Sequence, residues 1–117
     1  MNSSLITFII SLFITLGVCS VLRQSAKLGQ TVELEFGKNV KDIQAAIKNA
    51  ESASKDREHI VKDGMITQYG QQIYDGRLLF ENGTLIIQKI TENDPTTYFY
   101  YHHNNPRYPM AIDVILQ

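Results

Sequence analysis

"NDPTTYFYYHH", Asn93 to His103, is the stretch on which the fold of this 117-residue chain turns. Asn-Asp-Pro favours a break in regular structure, and the Thr, Tyr and Phe residues that follow favour a strand. In such a strand Tyr98 and Tyr100 share one face, and Phe99, Tyr101 and His103 share the other.

Working outward, most of the sequence has the same two-residue period. "TVELEF", Thr31 to Phe36, puts Val32, Leu34 and Phe36 on one face and Glu33 and Glu35 on the other. That alternation suits a half-buried antiparallel strand. "GRLLFENGTLIIQKI", Gly76 to Ile90, reads as a strand around 77–80, a turn at Glu81-Asn82-Gly83 and a strand over 84–89. Asn-Gly favours the positive φ angles of a tight hairpin turn. "PMAIDVILQ", Pro109 to Gln117, alternates again, with Ile112, Val114 and Leu116 on one face. Short strands separated by turns imply an all-β antiparallel sandwich. One segment differs. Val40 to Glu58 is rich in Ala, Lys and Glu, with Val40, Ile43 and Ile47 at helical spacing, and predicts a short helix followed by a polar loop.

The first twenty residues read as a leader. Leu5 to Val18 is apolar apart from Thr and Ser, and no charged residue precedes Arg23. The run is shorter than the roughly 20 residues of a membrane-spanning helix. With small residues following at Gly17, Cys19 and Ser20, it predicts a secretory signal over 1–20 and one domain over 21–117. An uncleaved signal anchor is the alternative. Lys and Arg number 11, Asp and Glu 12, so the net charge is −1. Neither nucleic acid nor an anionic membrane is suggested by that balance. Cys19 is the only cysteine. The mature domain therefore lacks the disulfides usual in small secreted domains. No second domain or C-terminal anchor is expected.

The opening stretch resembles the D-x-G/A-x-Y-x-C start of strand F in immunoglobulin-like domains. Tyr98 falls on the tyrosine corner, whose hydroxyl bonds to upstream backbone. Tyr100, His102 and Asn104 fall where the I-set pattern has Cys, Ala and Asn. "NGTLIIQKI" is similar to the strand E pattern N-G-T-L-x-I, and "GQTVELEF" to the strand B pattern G-x-x-V-x-L-x-C, with Phe36 at the Cys position. "IVKDG", Ile60 to Gly64, resembles the strand C pattern W-x-K-x-G, with Ile60 in place of Trp. The resemblance covers about residues 28–117 and leaves I-set against V-set open. It implies an immunoglobulin-like β-sandwich, in which the short helix read from residues 40–58 falls between strands B and C. It also implies an ion pair between Arg77 and Asp94, and contact between Phe36 and Tyr100 across the core.

The chemistry-bearing residues point away from catalysis. The sequence holds no Ser-His-Asp spacing, nucleophile elbow or Gly-rich phosphate loop. His59, His102 and His103 are the only histidines. Neighbours on a strand point to opposite faces, so His102 and His103 do not chelate a metal together there. No cofactor is implied. Binding is the better reading. Strands C, F and G share a sheet, so His59 and Val61, Phe99, Tyr101 and His103, and Ala111 and Ile115 are expected on one outer face. Aromatic residues exposed in this way are enriched at protein interfaces. Arg107 and Tyr108 in the F–G turn extend the surface. Asn82-Gly83-Thr84 is a glycosylation sequon at an exposed turn. The expected protein is a secreted extracellular domain that binds another protein, or a second copy of itself. A structural, matrix-associated domain is the alternative.

Overall fold

The computed structural model describes residues 20–47 and 56–117. Among these described residues nine strands form two sheets. In chain order they are β1 (Ser20–Ala26), β2 (Val32–Glu35), β3 (Ile43–Ala46), β4 (Arg57–Lys62), β5 (Met65–Ile66), β6 (Leu78–Glu81), β7 (Thr84–Ile87), β8 (Thr97–Tyr101) and β9 (Pro109–Leu116). A short helix, α1 (Gln68–Ile73), lies between β5 and β6. The larger sheet runs β1-β9-β8-β3-β4-β5 and the smaller β2-β7-β6. All ladders are antiparallel except β1 on β9, which is parallel.

The alternation in the sequence sets the inner faces. Val32 and Leu34 on β2, with Phe36 just beyond it, are buried, whereas Glu33 and Glu35 face solvent. Leu85 and Ile87 on β7 and Tyr98 and Tyr100 on β8 complete much of the core. The β6–β7 hairpin turns at Asn82 and Gly83, with φ of 49° and 78°, both positive as a type I′ turn requires. Gly83 is obligatory for a second reason: a Cβ there would stand 1.8 Å from the carbonyl oxygen of Gly37.

Three features depart from the sequence expectation. The helix predicted over Val40–Glu58 is not formed where the chain is described. Ile43–Ala46 is a strand, β4 starts at Arg57, and residues 48–55 lie outside the described part. Ile43 and Ala45 are buried alternately between β4 and β8, and backbone pairing on both sides overrides a helix-favouring composition. Strand C is therefore β3. The "IVKDG" stretch lies on the next strand, β4, so Ile60 does not occupy the strand C Trp position. With that assignment only residues 36–42 separate strand B, β2, from strand C, β3.

Second, β4 carries a bulge. Ile43 opposes Val61 and Gln44 opposes His59, leaving Ile60 as the extra residue. Both Ile60 and Val61 are buried, so Val61 points into the core and not outward as simple alternation places it. Third, β1 is an edge strand without a buried stripe: only Ala26 of it is buried. The expected signal over 1–20 lies outside the described residues apart from Ser20, the first residue of β1. Among the described residues no helix is long and apolar enough to cross a membrane.

Helix α1 seats against the bulge. Thr67 caps it, its hydroxyl oxygen accepting from the Gly70 N–H at 3.0 Å while donating to the His59 carbonyl at 2.7 Å. A Cβ on Gly70 would come within 2.9 Å of the Ile60 carbonyl oxygen, so only glycine allows this approach. The helix delivers Tyr74, fully buried, to the centre of the sandwich.

Candidate functional site: the outer face of the larger sheet

The buried end of the sandwich is organised around the predicted corner. Tyr98 donates its hydroxyl to the Pro95 carbonyl at 2.8 Å. That uses its one proton, so the hydrogen bond between the hydroxyls of Tyr74 and Tyr98 runs from Tyr74 to Tyr98. Burial pushes both tyrosines well above the ordinary phenol range, aided by the Asp94 charge. Arg77 and Asp94 form the expected ion pair, two parallel hydrogen bonds of 2.9 and 2.7 Å. Arg77 also donates to the Gln88 and Lys89 carbonyls, and Asp94 accepts from the Thr91 N–H. Burial pushes the Asp94 carboxyl up, but hydrogen bonds from Arg77 and Thr91 outweigh it and hold it below the usual carboxylate range. These groups fasten β6 and α1 to the start of β8. Tyr74, Tyr98 and Asp94 are buried, and Arg77 is partly exposed.

On the opposite side of β8 the side chains meet solvent. Register places Phe99 beside Gln44 of β3 and Ala111 of β9, and Gln44 beside His59 of β4. The Gln44 amide nitrogen lies 3.3 Å from His59 Nε2. Arg57 lies over Phe99, its guanidinium carbon 4.4 Å from the ring centroid, a cation–π contact. Tyr101, 46% exposed, lies at the end of β8 opposite Pro109. Together Asp42, Gln44, Arg57, His59, Phe99, Tyr101 and neighbouring β8–β9 residues line an open pocket of about 340 Å³.

Three of the anticipated residues, His59, Phe99 and Tyr101, thus share one pocket. The others lie elsewhere. Strand β8 ends at Tyr101, so His103 is not part of its outward row. It falls in a 3-10 turn with φ of 53°, its ring centroid 4.0 Å from that of His102. The positive φ turns the two imidazoles to the same side, unlike neighbours on a strand. Among the described residues, no group of three or more His, Cys, Asp and Glu side chains is placed to hold a metal. Arg107 and Tyr108 are exposed in the β8–β9 connection. Ile115 is exposed but pairs with Ser25 of β1, six positions along β9 from Pro109, about 20 Å at strand spacing. Ala111 faces outward yet is buried beside Phe99. Sequence reading missed Arg57, Gln44 and Asp42, because it had placed them in a helix or loop. Once β3 and β4 are paired, their period-two spacing with His59 is plain.

The two-sheet sandwich, its strand order and its tyrosine corner define an immunoglobulin-like domain. Beyond the strand facing β8 its larger sheet carries two more, β4 and β5. Among solved structures it is similar to the second Ig domain of the mouse polymeric immunoglobulin receptor. That likeness has a TM-score of 0.55 and 16% identity over 84% of this chain and 97% of that one. It is also similar to Drosophila Semaphorin 2a, with a TM-score of 0.52 and 13% identity, over 85% of this chain and 14% of that one. No family model and no curated protein matches the sequence.

Proposed function

We propose that the domain is a secreted recognition module that binds another extracellular protein through the outer face of its larger sheet. The observation that carries this reading is the convergence of His59, Phe99 and Tyr101 with Arg57 and Gln44 on one open pocket. Tyrosine, phenylalanine and arginine are enriched at protein interfaces, and Tyr and Arg dominate their binding energy. The pocket lies at the small end of the roughly 300–1,000 Å³ range of ligand sites. Its openness suits a side chain presented by a partner better than an enclosed small molecule. Arg107 and Tyr108 stand on the neighbouring turn, available to the same partner. The partner class includes cell-surface proteins and a second copy of this chain.

Two features support an extracellular setting. The apolar segment over 1–20 reads as a secretory signal, and the sequon at Asn82 lies on an exposed hairpin tip. That hairpin belongs to the smaller sheet, so a glycan on Asn82 leaves the outer face of the larger sheet open. The test is capture of extracellular proteins by the mature domain, compared with its Tyr101→Glu variant. A partner, or a dimer seen by light scattering, that is lost in the variant supports the reading. Binding that survives Tyr101→Glu and Phe99→Ser together would remove it.

A further inference from the structure

The pocket is polarised along the strands. Arg57 opposes Ala46, whereas Asp42 precedes the start of β3, four positions away, about 13 Å at strand spacing. The Gln44–His59 row lies between them. Asp42 is tied to the backbone, its carboxylate accepting from the Asp63 N–H at 3.0 Å. Arg57 is differently placed. Its ion-pair partner among the described residues is Asp56, at 3.8 Å through Nε, with side chains 48% and 70% exposed. A pair so open to water contributes little. The Phe99 ring meanwhile lies beneath the guanidinium, its centroid 4.4 Å from the guanidinium carbon.

We propose that this pocket takes a single carboxylate side chain, Glu or Asp, from the partner protein, gripped by the outward fork of Arg57. The inference rests on the recognition reading above and names the chemistry of its anchor. A guanidinium already held over an aromatic ring loses less freedom when it pairs, and a guanidinium offers paired N–H groups in the geometry of a carboxylate. Tyr101, Pro109 and Met110 offer apolar surface to the stem of the incoming side chain. Asp42 repels a second negative charge at the far end. The site therefore selects one acid within an otherwise uncharged contact, and disfavours polyanions such as sulfated glycans.

The test is a titration of the 15N-labelled domain with N-acetyl-glutamate N-methylamide and, in parallel, its glutamine counterpart. The expected result is saturable shifts centred on Arg57, His59, Phe99 and Tyr101, with affinity at least about tenfold weaker for the uncharged probe, as loss of a charge-assisted pair implies. Arg57→Gln and Arg57→Lys should weaken glutamate similarly, the lysine variant because it keeps charge but loses the stacked fork. Arg57 is exposed, so both variants should keep the parent denaturation midpoint. Equal affinity for the two probes, scattered shifts, no saturation, or indifference to Arg57→Gln would overturn the inference. If partner capture is lost in Tyr101→Glu but unchanged in Arg57→Gln, the recognition face stands and the carboxylate anchor falls. If the probe binds as described while capture survives Tyr101→Glu and Phe99→Ser together, the pocket's affinity for a carboxylate stands and the recognition reading falls.

Discussion

Phe36 and Tyr100 meet edge to face across the sandwich, ring centroids 4.8 Å apart and planes at 88°. By the sequence resemblance they fall at the positions from which immunoglobulin domains usually join their sheets by a disulfide. An edge-to-face pair contributes about 0.5–1.5 kcal/mol beyond the area it buries. A disulfide contributes about 2–5 kcal/mol, so the pair, with its large apolar burial, offsets much of that loss. Phe36→Ala should cost about 3–5 kcal/mol in urea denaturation. A loss below about 1 kcal/mol would show that the rings do not brace the sheets, since even an average substitution costs that much.

The Arg77–Asp94 pair is nearly dry on its acidic side, Asp94 being 2% exposed. Arg77→Ala strands a buried carboxylate and should cost about 3–5 kcal/mol. In an Asp94→Asn background the same change should cost much less, and a double-mutant cycle reads the coupling. The pH dependence has a definite sign. The contribution is complete above the unfolded carboxylate range, about pH 4. Below it the unfolded chain takes up a proton that folded Asp94 resists, so stability falls as pH drops towards the depressed native value. Stability that stays flat between pH 5 and pH 2 in the wild type would refute this role.

At the alkaline end Tyr74 and Tyr98 act together. Both are raised by burial, so above about pH 10 the unfolded chain ionises while the folded hydroxyls stay protonated. Their contribution is complete below that pH and is lost as pH rises through the folded values. Denaturation midpoints should therefore decline above pH 10. Tyr74→Phe should cost about 1 kcal/mol for its lost hydrogen bond. Phenolate absorbance should show Tyr74 and Tyr98 ionising only as the domain unfolds. Ionisation of Tyr74 or Tyr98 near pH 10 while the domain stays folded would contradict the buried arrangement.

The β4 bulge makes a prediction that plain alternation reverses. Val61→Asp should unfold the domain, because Val61 is buried beside Ile60, whereas His59→Asp should leave it folded. Gly70→Ala should also be strongly destabilising, by more than the about 1 kcal/mol typical of substitutions, since its methyl would strike the Ile60 carbonyl. Circular dichroism melts of the three variants check the set. A stable Val61→Asp protein would put the bulge elsewhere.

Much of the fold was legible because local chemistry and tertiary role agree. In "TVELEF" and "NGTLII" the period-two pattern marks the buried face directly, and Asn-Gly marks the turn. The Asp94–Tyr98 spacing located the corner, and Arg77 followed from it. Illegible were the strands whose local signals disagree with their surroundings. Ile43–Ala46 is helix-like in composition and becomes a strand only because β4 and β8 pair with it on both sides. Residues 20–26 bury little, so no apolar stripe announces β1. Tyr74 carries no sequence mark as the partner of Tyr98, since the two are brought together only by the seating of α1.

The sequence by itself determined the sandwich, the corner and the aromatic pair across the core, because alternation, turn residues and fixed spacings are local properties of the chain. Only the tertiary structure decided the composition of the outer face. The bulge at Ile60 turned Val61 inward, the end of β8 removed His103, and the pairing of β3 with β4 brought Gln44 and Arg57 to Phe99. Register across strands is a long-range property, and it alone fixes which side chains stand together.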